Sequence, residues 1–309
     1  MRDETPAISV IIPALNAERT LGAQLEALAR QHVTAPWEVL LCDNGSTDGT
    51  VKLVEAWRER LPELVLIDAS ARRGPGAARN IGASHARSPL LLFCDADDVV
   101  ADDWLREMHA ALRTVDVVVG AGETDLLNSN NRSRVSWDVN MQIAKPYWPQ
   151  YLAGGGGNLG VATSVFRAVG GFDESLRTGE DIDLCWRIQL TGHVLKRSES
   201  AVVHIRKHSG LRSIFRQAYS YSLGDRQLAH KYSVFIDAYW RSQPEEARVD
   251  AGHTALFSGP INIRGIVHHA LRLLRRQGRA NAAWRLGSVL GARTKSVDFR
   301  DSPICELAP

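Results

Sequence analysis

The chain has 309 residues, of which 44% are hydrophobic and 23% charged, and its formal net charge is +2. Such a composition suits a water-soluble protein of one large domain or two layers sharing a core, and its near balance of charge excludes a dedicated nucleic-acid binder. The four cysteines, Cys42, Cys94, Cys185 and Cys305, are scattered with no CxxC pair, which argues against a zinc site and for a reduced compartment. No run approaches the roughly 20 apolar residues of a bilayer span, and the first residues lack the apolar stretch of a secretion signal. The expectation is a cytoplasmic protein.

Ile8 to Ile12 is a β-branched run stopped by Pro13, and predicts a buried strand. Glu18 to Gln31 sets Leu21, Leu25 and Leu28 at helical spacing. Trp37 to Cys42 predicts a second strand and Thr47 to Arg60 a second helix. Leu64 to Asp68 is a third strand, followed by a Gly/Ala-rich helix from about Gly76 to Ala86. Leu90 to Cys94 is strand, Asp103 to Arg113 helix and Val115 to Val119 strand again. This βαβα rhythm predicts an α/β fold with a mostly parallel sheet between helices. Ligands of such sheets bind beyond the carboxyl ends of the strands, where Asp43, Asp95 and Asp97 fall.

The rhythm breaks over 125–150, a polar stretch ending near Trp148 that reads as a loop or lid. Gly154 to Gly157 follows, suited to φ > 0 and to close backbone approach, or to a hinge. Asn158 to Thr163 then leads into a short helix, and Glu180 to Leu190 is a further helix. Val194-Leu195 and Ala201 to Val203 read as late strands, and the chain from Ser209 onward as mainly helical. Near its end, Arg272, Arg275, Arg276 and Arg279 fall on one side of a helix, with Ile266, Val267, Ala270, Leu273 and Leu274 on the other. That pattern suits either the surface of an anionic membrane, at the inner face of the cell membrane, or an ordinary helix packed on the catalytic core.

In Cys94-Asp95-Ala96-Asp97-Asp98, three carboxylates within four positions repel one another unless a cation or solvent relieves them. In an extended segment Asp95 and Asp97 point the same way and can converge on one ion. Hard oxygen ligands select Mg²⁺ or Mn²⁺, which commonly completes its shell with phosphates. The alternative is a solvated acidic turn that caps the following helix. Glu180-Asp181 likewise suits dipole compensation at a helix start or a general base.

Five segments occur in order: Val10 to Glu18, Cys42 to Gly49, Gly76 to Gly82, the acidic cluster, and Gly170 to Glu174 with Gly179 to Arg187. Together they resemble the family 2 glycosyltransferases of the GT-A fold, over roughly residues 7–208. The resemblance implies a GT-A catalytic domain over 7–208, with a nucleotide-sugar half about 7–120 and an acceptor half about 121–208. A helical, basic extension over 209–309 would follow it. It implies transfer of a sugar, with inversion, from a nucleoside diphosphate sugar (a UDP-sugar favoured) to an acceptor hydroxyl. The acceptor would be a carbohydrate, a lipid-linked glycan or a small molecule.

By the same resemblance Pro13, Ala14, Leu15 and Glu18 match the nucleoside cradle, and Asp43 the carboxylate that binds base or ribose. The family often carries a second Asp after it; here Asn44 takes that place. Arg79 matches a donor-binding basic residue. Asp95, Ala96 and Asp97 match the donor- and metal-binding aspartate motif, and His204 a residue that completes the metal site. Asp181 matches the catalytic base and Glu180 its neighbour. Arg206 and Lys207 could reach the same diphosphate. A nucleotidyltransferase is disfavoured, because Pro13 to Ala17 replaces the Gly-rich basic loop it needs. A non-catalytic nucleotide-sugar binder is the other alternative, and intact Asp95, Asp97 and Asp181 speak against it.

Overall fold

The computed structural model describes residues 5–61, 63–128, 142–207, 210–245 and 278–293. Ten strands and nine helices are defined among the described residues. In chain order the first part runs β1 (Ile8–Ala14), α1 (Leu21–Ala29), β2 (Trp37–Asp43), α2 (Thr50–Trp57), β3 (Leu64–Asp68), α3 (Pro75–His85) and β4 (Leu90–Cys94). Next come β5 (Val99–Val100), α4 (Trp104–Leu112), β6 (Val117–Glu123), β7 (Gln142–Lys145), β8 (Trp148–Gly154), β9 (Asn158–Ala162) and α5 (Thr163–Ala168). The remainder is α6 (Glu180–Leu190), β10 (Leu195–His204), α7 (Leu211–Lys231), α8 (Ser233–Ser242) and α9 (Gly278–Arg293).

Eight strands form one sheet in the order β3-β2-β1-β4-β9-β6-β10-β5. β3, β2, β1 and β4 are parallel, as the βαβ rhythm requires. β6 and β10 are parallel to each other, whereas β9 runs antiparallel to both β4 and β6. The reversed β9 therefore sits between the two parallel halves, an arrangement the alternating pattern did not foretell. The two late strands read from the sequence are one strand, β10, with a register shift between Arg197 and Val202.

The apolar runs are buried because both faces of the sheet are covered. Ile8, Val10, Ile11 and Ile12 of β1 are fully buried, as are Leu21, Leu25 and Leu28, which form the inward stripe of α1. Burying a side chain of this size stabilises by about 1.5–3 kcal/mol. Glu38 accepts from Ser9 Oγ at 2.7 Å and from Arg87 Nε and Nη2 at 3.1 and 2.9 Å, so its buried charge has a cation beside it.

The chain divides into two compact units: one holds the described residues of 5–128, 142–143 and 152–206, the other those of 144–151 and from 207 onward. In the second unit Trp148 is buried, with ring contacts to Tyr151, Tyr232 and Phe235. It begins β8 and is not a residue of a polar loop, so that part of the lid expectation is corrected: aromatic partners far along the chain bury it. Residues 129–141 of that stretch lie outside the described residues. α7 and α9 cross closely, since Gly287 and Gly291 press on the backbone at Phe215 and Tyr219, where a side-chain carbon has no room. Arg272, Arg275, Arg276 and the apolar residues opposite them lie outside the described residues. Among the described residues no helix is long and apolar enough to cross a membrane.

One side chain holds the reversed strand in place. Asn158, fully buried, donates from Nδ2 to the carbonyls of Ala121 and Ala201 at 2.9 Å each, and accepts from Trp104 Nε1 at 2.8 Å. Ala201 lies beside the register shift of β10, so the amide fills a gap in the ladder. Asn158→Leu keeps the branching and the number of side-chain heavy atoms and removes all of these bonds. Urea unfolding should show a loss of about 3–9 kcal/mol, because three buried polar groups are left unmatched at about 1–3 kcal/mol each. The midpoint should fall with the slope unchanged.

Candidate active site

The carboxyl ends of β1 and β2 are laced into one wall. The Asn44 N–H donates to the Ala14 carbonyl at 2.8 Å, and the Asn16 and Glu18 N–H groups donate to Ser46 Oγ and Asp48 Oδ2. Asn16 adopts φ +52, a conformation asparagine tolerates better than most residues. Its side-chain oxygen accepts the Thr47 N–H at 2.8 Å. Glu18 accepts the Gly49 N–H at 3.0 Å. Of the expected cradle residues, Pro13 and Ala14 lie in β1 with Ala14 buried, while Leu15 stands out 53% exposed on the loop. Asp43 ends β2 and its carboxylate accepts the Gly45 and Ser46 N–H groups, a turn that fixes it at the strand end.

Asn44 has a different task from its neighbour. Its Nδ2 donates to the carbonyls of Ala69 and Arg72 at 2.6 and 2.7 Å, and its Oδ1 accepts the Gly74 N–H at 2.9 Å. The amide braces the whole connection from β3 to α3. A carboxylate could satisfy Gly74 but not the two carbonyls.

Asp95 to Asp98 form a turn after β4, not an extended segment. Asp95 and Asp97 are partly exposed, whereas Asp98 is turned inward and buried. One oxygen from each of Asp95, Asp97 and Asp98 lies within 4.8 Å of the others. Burial, and then the Asp95 and Asp97 carboxylates, push the Asp98 carboxyl up to about 8, against the Arg206 N–H that it accepts at 2.8 Å. A crowd of hard oxygen donors that repel one another fits Mg²⁺ or Mn²⁺. Ala96 is buried in the hydrophobic core beneath the turn. Gln24 braces it from behind, donating to the Asp95 carbonyl at 3.2 Å and accepting the Val100 N–H at 2.9 Å. His204 ends β10 and bonds through Nδ1 to Glu123 Oε2 at 2.6 Å. The structure does not bring it into the carboxylate group found among the described residues.

Arg79 projects from α3 and is only 4% exposed. It donates to Asp95 Oδ1 at 2.6 Å and to Glu180 Oε1 at 2.9 Å. Burial works against its charge, but Asp95 and Glu180 outweigh that and hold its pKa above the usual value. Burial, and then the neighbouring Asp181, raise the Glu180 carboxyl to about 7. Gly179, at φ +84, turns the chain into α6, so that Glu180 points inward and Asp181 is left partly exposed. Asp181 accepts the N–H of Ile182 at 2.8 Å and of Gly156 at 2.9 Å.

The glycine tract explains that last bond. None of Gly154 to Gly157 has positive φ. They are small because the segment passes close to side chains: a carbon added at Gly154 would meet Val119 Cγ2 at 2.6 Å, at Gly156 Arg79 Cζ at 3.0 Å, and at Gly157 Asp95 Oδ2 at 2.6 Å. The tract lies over the Arg79–Asp95 pair and reaches Asp181.

Comparison with known families and structures gives the family and the fold. The family described as Glycosyl transferase family 2 matches residues 9–169, and Glycosyl transferase family group 2 matches residues 90–285. The chain belongs to glycosyl transferase family 2. Succinoglycan biosynthesis protein ExoO of Rhizobium meliloti is 30% identical over 67% of this chain and 63% of its own length. Glycosyltransferase AglE of Haloferax volcanii is 28% identical over 63% of this chain and 65% of its own length. The chain thus spans under two thirds of each of these relatives. Mannosyltransferase PcManGT from Pyrobaculum calidifontis, solved in complex with GDP-Man and Mn²⁺, superposes with a TM-score of 0.62 at 20% identity, covering 95% of this chain and 89% of that one. The fold is GT-A.

Several roles around the site of this family 2 chain have no signal in its sequence. Asp98 stood within the quoted acidic cluster, and its inward turn had no sequence signal. Gln24 carried no motif. The amide of Asn44 was visible, and its two carbonyl partners were not.

Asn44→Asp tests the brace. It removes two donors and faces two carbonyls with negative charge, so stability should fall by about 2–6 kcal/mol, at about 1–3 kcal/mol per unmatched group. Chemical denaturation at neutral pH measures this; a stability equal to wild type would refute the bracing role.

Proposed function

We propose that this chain transfers a sugar from a nucleoside diphosphate sugar to an acceptor hydroxyl, with Asp181 as general base. The observation that carries the reading is the convergence on Gly154 to Gly157, where Asp181 bonds to Gly156 and Asp95 packs on Gly157. A proton acceptor and a cluster suited to a cation therefore face one short segment.

In this mechanism the acceptor hydroxyl attacks the anomeric carbon and gives its proton to Asp181, while the bond from that carbon to the diphosphate oxygen breaks. A single displacement inverts the anomeric centre. A divalent cation held by Asp95, Asp97 and Asp98 would neutralise charge growing on the departing diphosphate. Asp43 and the laced loops offer the nucleoside a rigid wall, and Leu15 an exposed apolar surface. GDP-Man in the Pyrobaculum enzyme supports a nucleoside diphosphate sugar as donor, and Mn²⁺ in the same complex supports the cation. The succinoglycan role in ExoO's name supports a growing glycan as acceptor.

The test is turnover of a panel of UDP- and GDP-sugars by purified protein with Mn²⁺, following release of the nucleoside diphosphate. Asp181→Asn should lower kcat about 10²–10⁴-fold and leave nucleotide affinity near wild type. Asp97→Asn should weaken Mn²⁺-dependent binding of the nucleoside diphosphate, read as a smaller thermal shift at fixed ligand. No turnover of any donor, or an undiminished rate in Asp181→Asn, would sink the reading.

A further inference from the structure

The resemblance casts Arg79 as a residue that binds the donor. Its surroundings point elsewhere. Both terminal nitrogens are engaged, one by Asp95 and one by Glu180. The side chain is 4% exposed, and the Phe172 ring lies 5.5 Å from its guanidinium carbon. Its Nε is buried and has no hydrogen-bond partner. The backbone at Gly156 closes over the guanidinium, where even one added carbon would come within 3.0 Å. A diphosphate could reach this cation only after one of its carboxylate partners was displaced.

The two partners belong to different parts of the chain. Asp95 follows β4 and is one of the clustered carboxylates; Glu180 opens α6, immediately before Asp181. The guanidinium therefore spans from the candidate cation cluster to the candidate base. It engages Asp95 through Oδ1, while Asp95 Oδ2 faces Gly157. On the other side, the bond to Glu180 fixes the first turn of α6. Without the cation, Asp95 and Glu180 would repel each other across a buried space, and breaking one side of such a pair is costly.

Resting on the glycosyltransferase reading, we infer that Arg79 is a positioning residue that couples the Asp95 cluster to Asp181 through Glu180, and not a donor ligand. The coupling is physical: one guanidinium shares its charge between two carboxylates, so a change at either alters its hold on the other. Glu180 then acts on the cluster although it is not among the grouped carboxylates. Neutralising Glu180 leaves Arg79 with more uncompensated charge beside Asp95, which opposes a divalent cation there.

The experiment is a double-mutant cycle with Arg79→Lys and Glu180→Gln, in which Mn²⁺ and nucleoside diphosphate binding are measured by calorimetry and transfer by steady-state kinetics. Glu180→Gln should weaken Mn²⁺ binding about 3- to 30-fold, within the range of couplings measured inside one ion-pair network. Both single variants should lower kcat, while nucleoside diphosphate affinity measured without metal stays within about 3-fold of wild type. The double variant should lose about as much as the worse single one, as groups acting as a unit do. Three results would overturn the inference: effects that multiply independently, unchanged Mn²⁺ binding in Glu180→Gln, or a metal-free loss of nucleotide affinity in Arg79→Lys at full kcat. If Arg79→Lys fails to fold, Glu180→Gln alone still decides it, through Mn²⁺ affinity with Arg79 intact. If wild type transfers no sugar, the functional reading fails, and the Mn²⁺ binding arm still decides the coupling.

Discussion

Carboxylates crowd the carboxyl edge of the sheet, and an apolar sheet does not solvate them. Asp43, Asp95, Asp97, Asp98, Glu180 and Asp181 all lie at or near strand ends or the start of α6. Each buried charge needs a compensating donor or cation nearby, since desolvation costs several kcal/mol per ion. The chain meets this need with few groups: backbone N–H donors for Asp43 and Asp181, a backbone donor from Arg206 for Asp98, and the buried Arg79 between Asp95 and Glu180. α3, which carries the guanidinium, meets α6 and the glycine tract at that last arrangement.

The glycine tract shows the constraint at the scale of a single atom. Three successive close approaches, to Val119, Arg79 and Asp95, leave no space for a side-chain carbon. A glycine run is commonly associated with flexibility or unusual φ, whereas this run has no positive φ and little room for a side chain at Gly154, Gly156 and Gly157. Here the small residues permit density. The same logic runs through Gly287 and Gly291, where glycine lets α9 lie on the backbone of α7.

Much of the first half was legible in the sequence. Apolar periodicity gave β1, α1, β2, α2, β3, α3 and β4 to within a few residues at each end, because parallel strands buried on both faces write continuous apolar runs. The boundaries drifted where loops carry helical-looking residues, as at Glu18 and Thr47, whose polar atoms serve the loops instead of the helices. The reversed β9 was not legible: Asn158 to Ala162 reads the same in either direction, and its place is set by Asn158, whose partners lie at Ala121, Ala201 and Trp104. Within the site, the chemistry-bearing residue types were visible, and their orientation was not. Nothing in Cys94 to Asp98 says that Asp98 turns inward, nor in Glu180-Asp181 which of the two is buried against Arg79.

The placement of β9 also bears on how the chain reaches its native state as it is synthesised. β4 can pair with β1 as soon as residue 94 has emerged, but its other edge waits for residues 158–162, and β6 must wait for the same strand. An open, apolar strand edge is a template for pairing with other chains. Such late, non-local closure slows folding. A nascent chain of this protein therefore passes through an interval in which its first parallel strands can pair while the far edge of β4 is open and adhesive. The residue that ends the interval, Asn158, is the first residue of the closing strand.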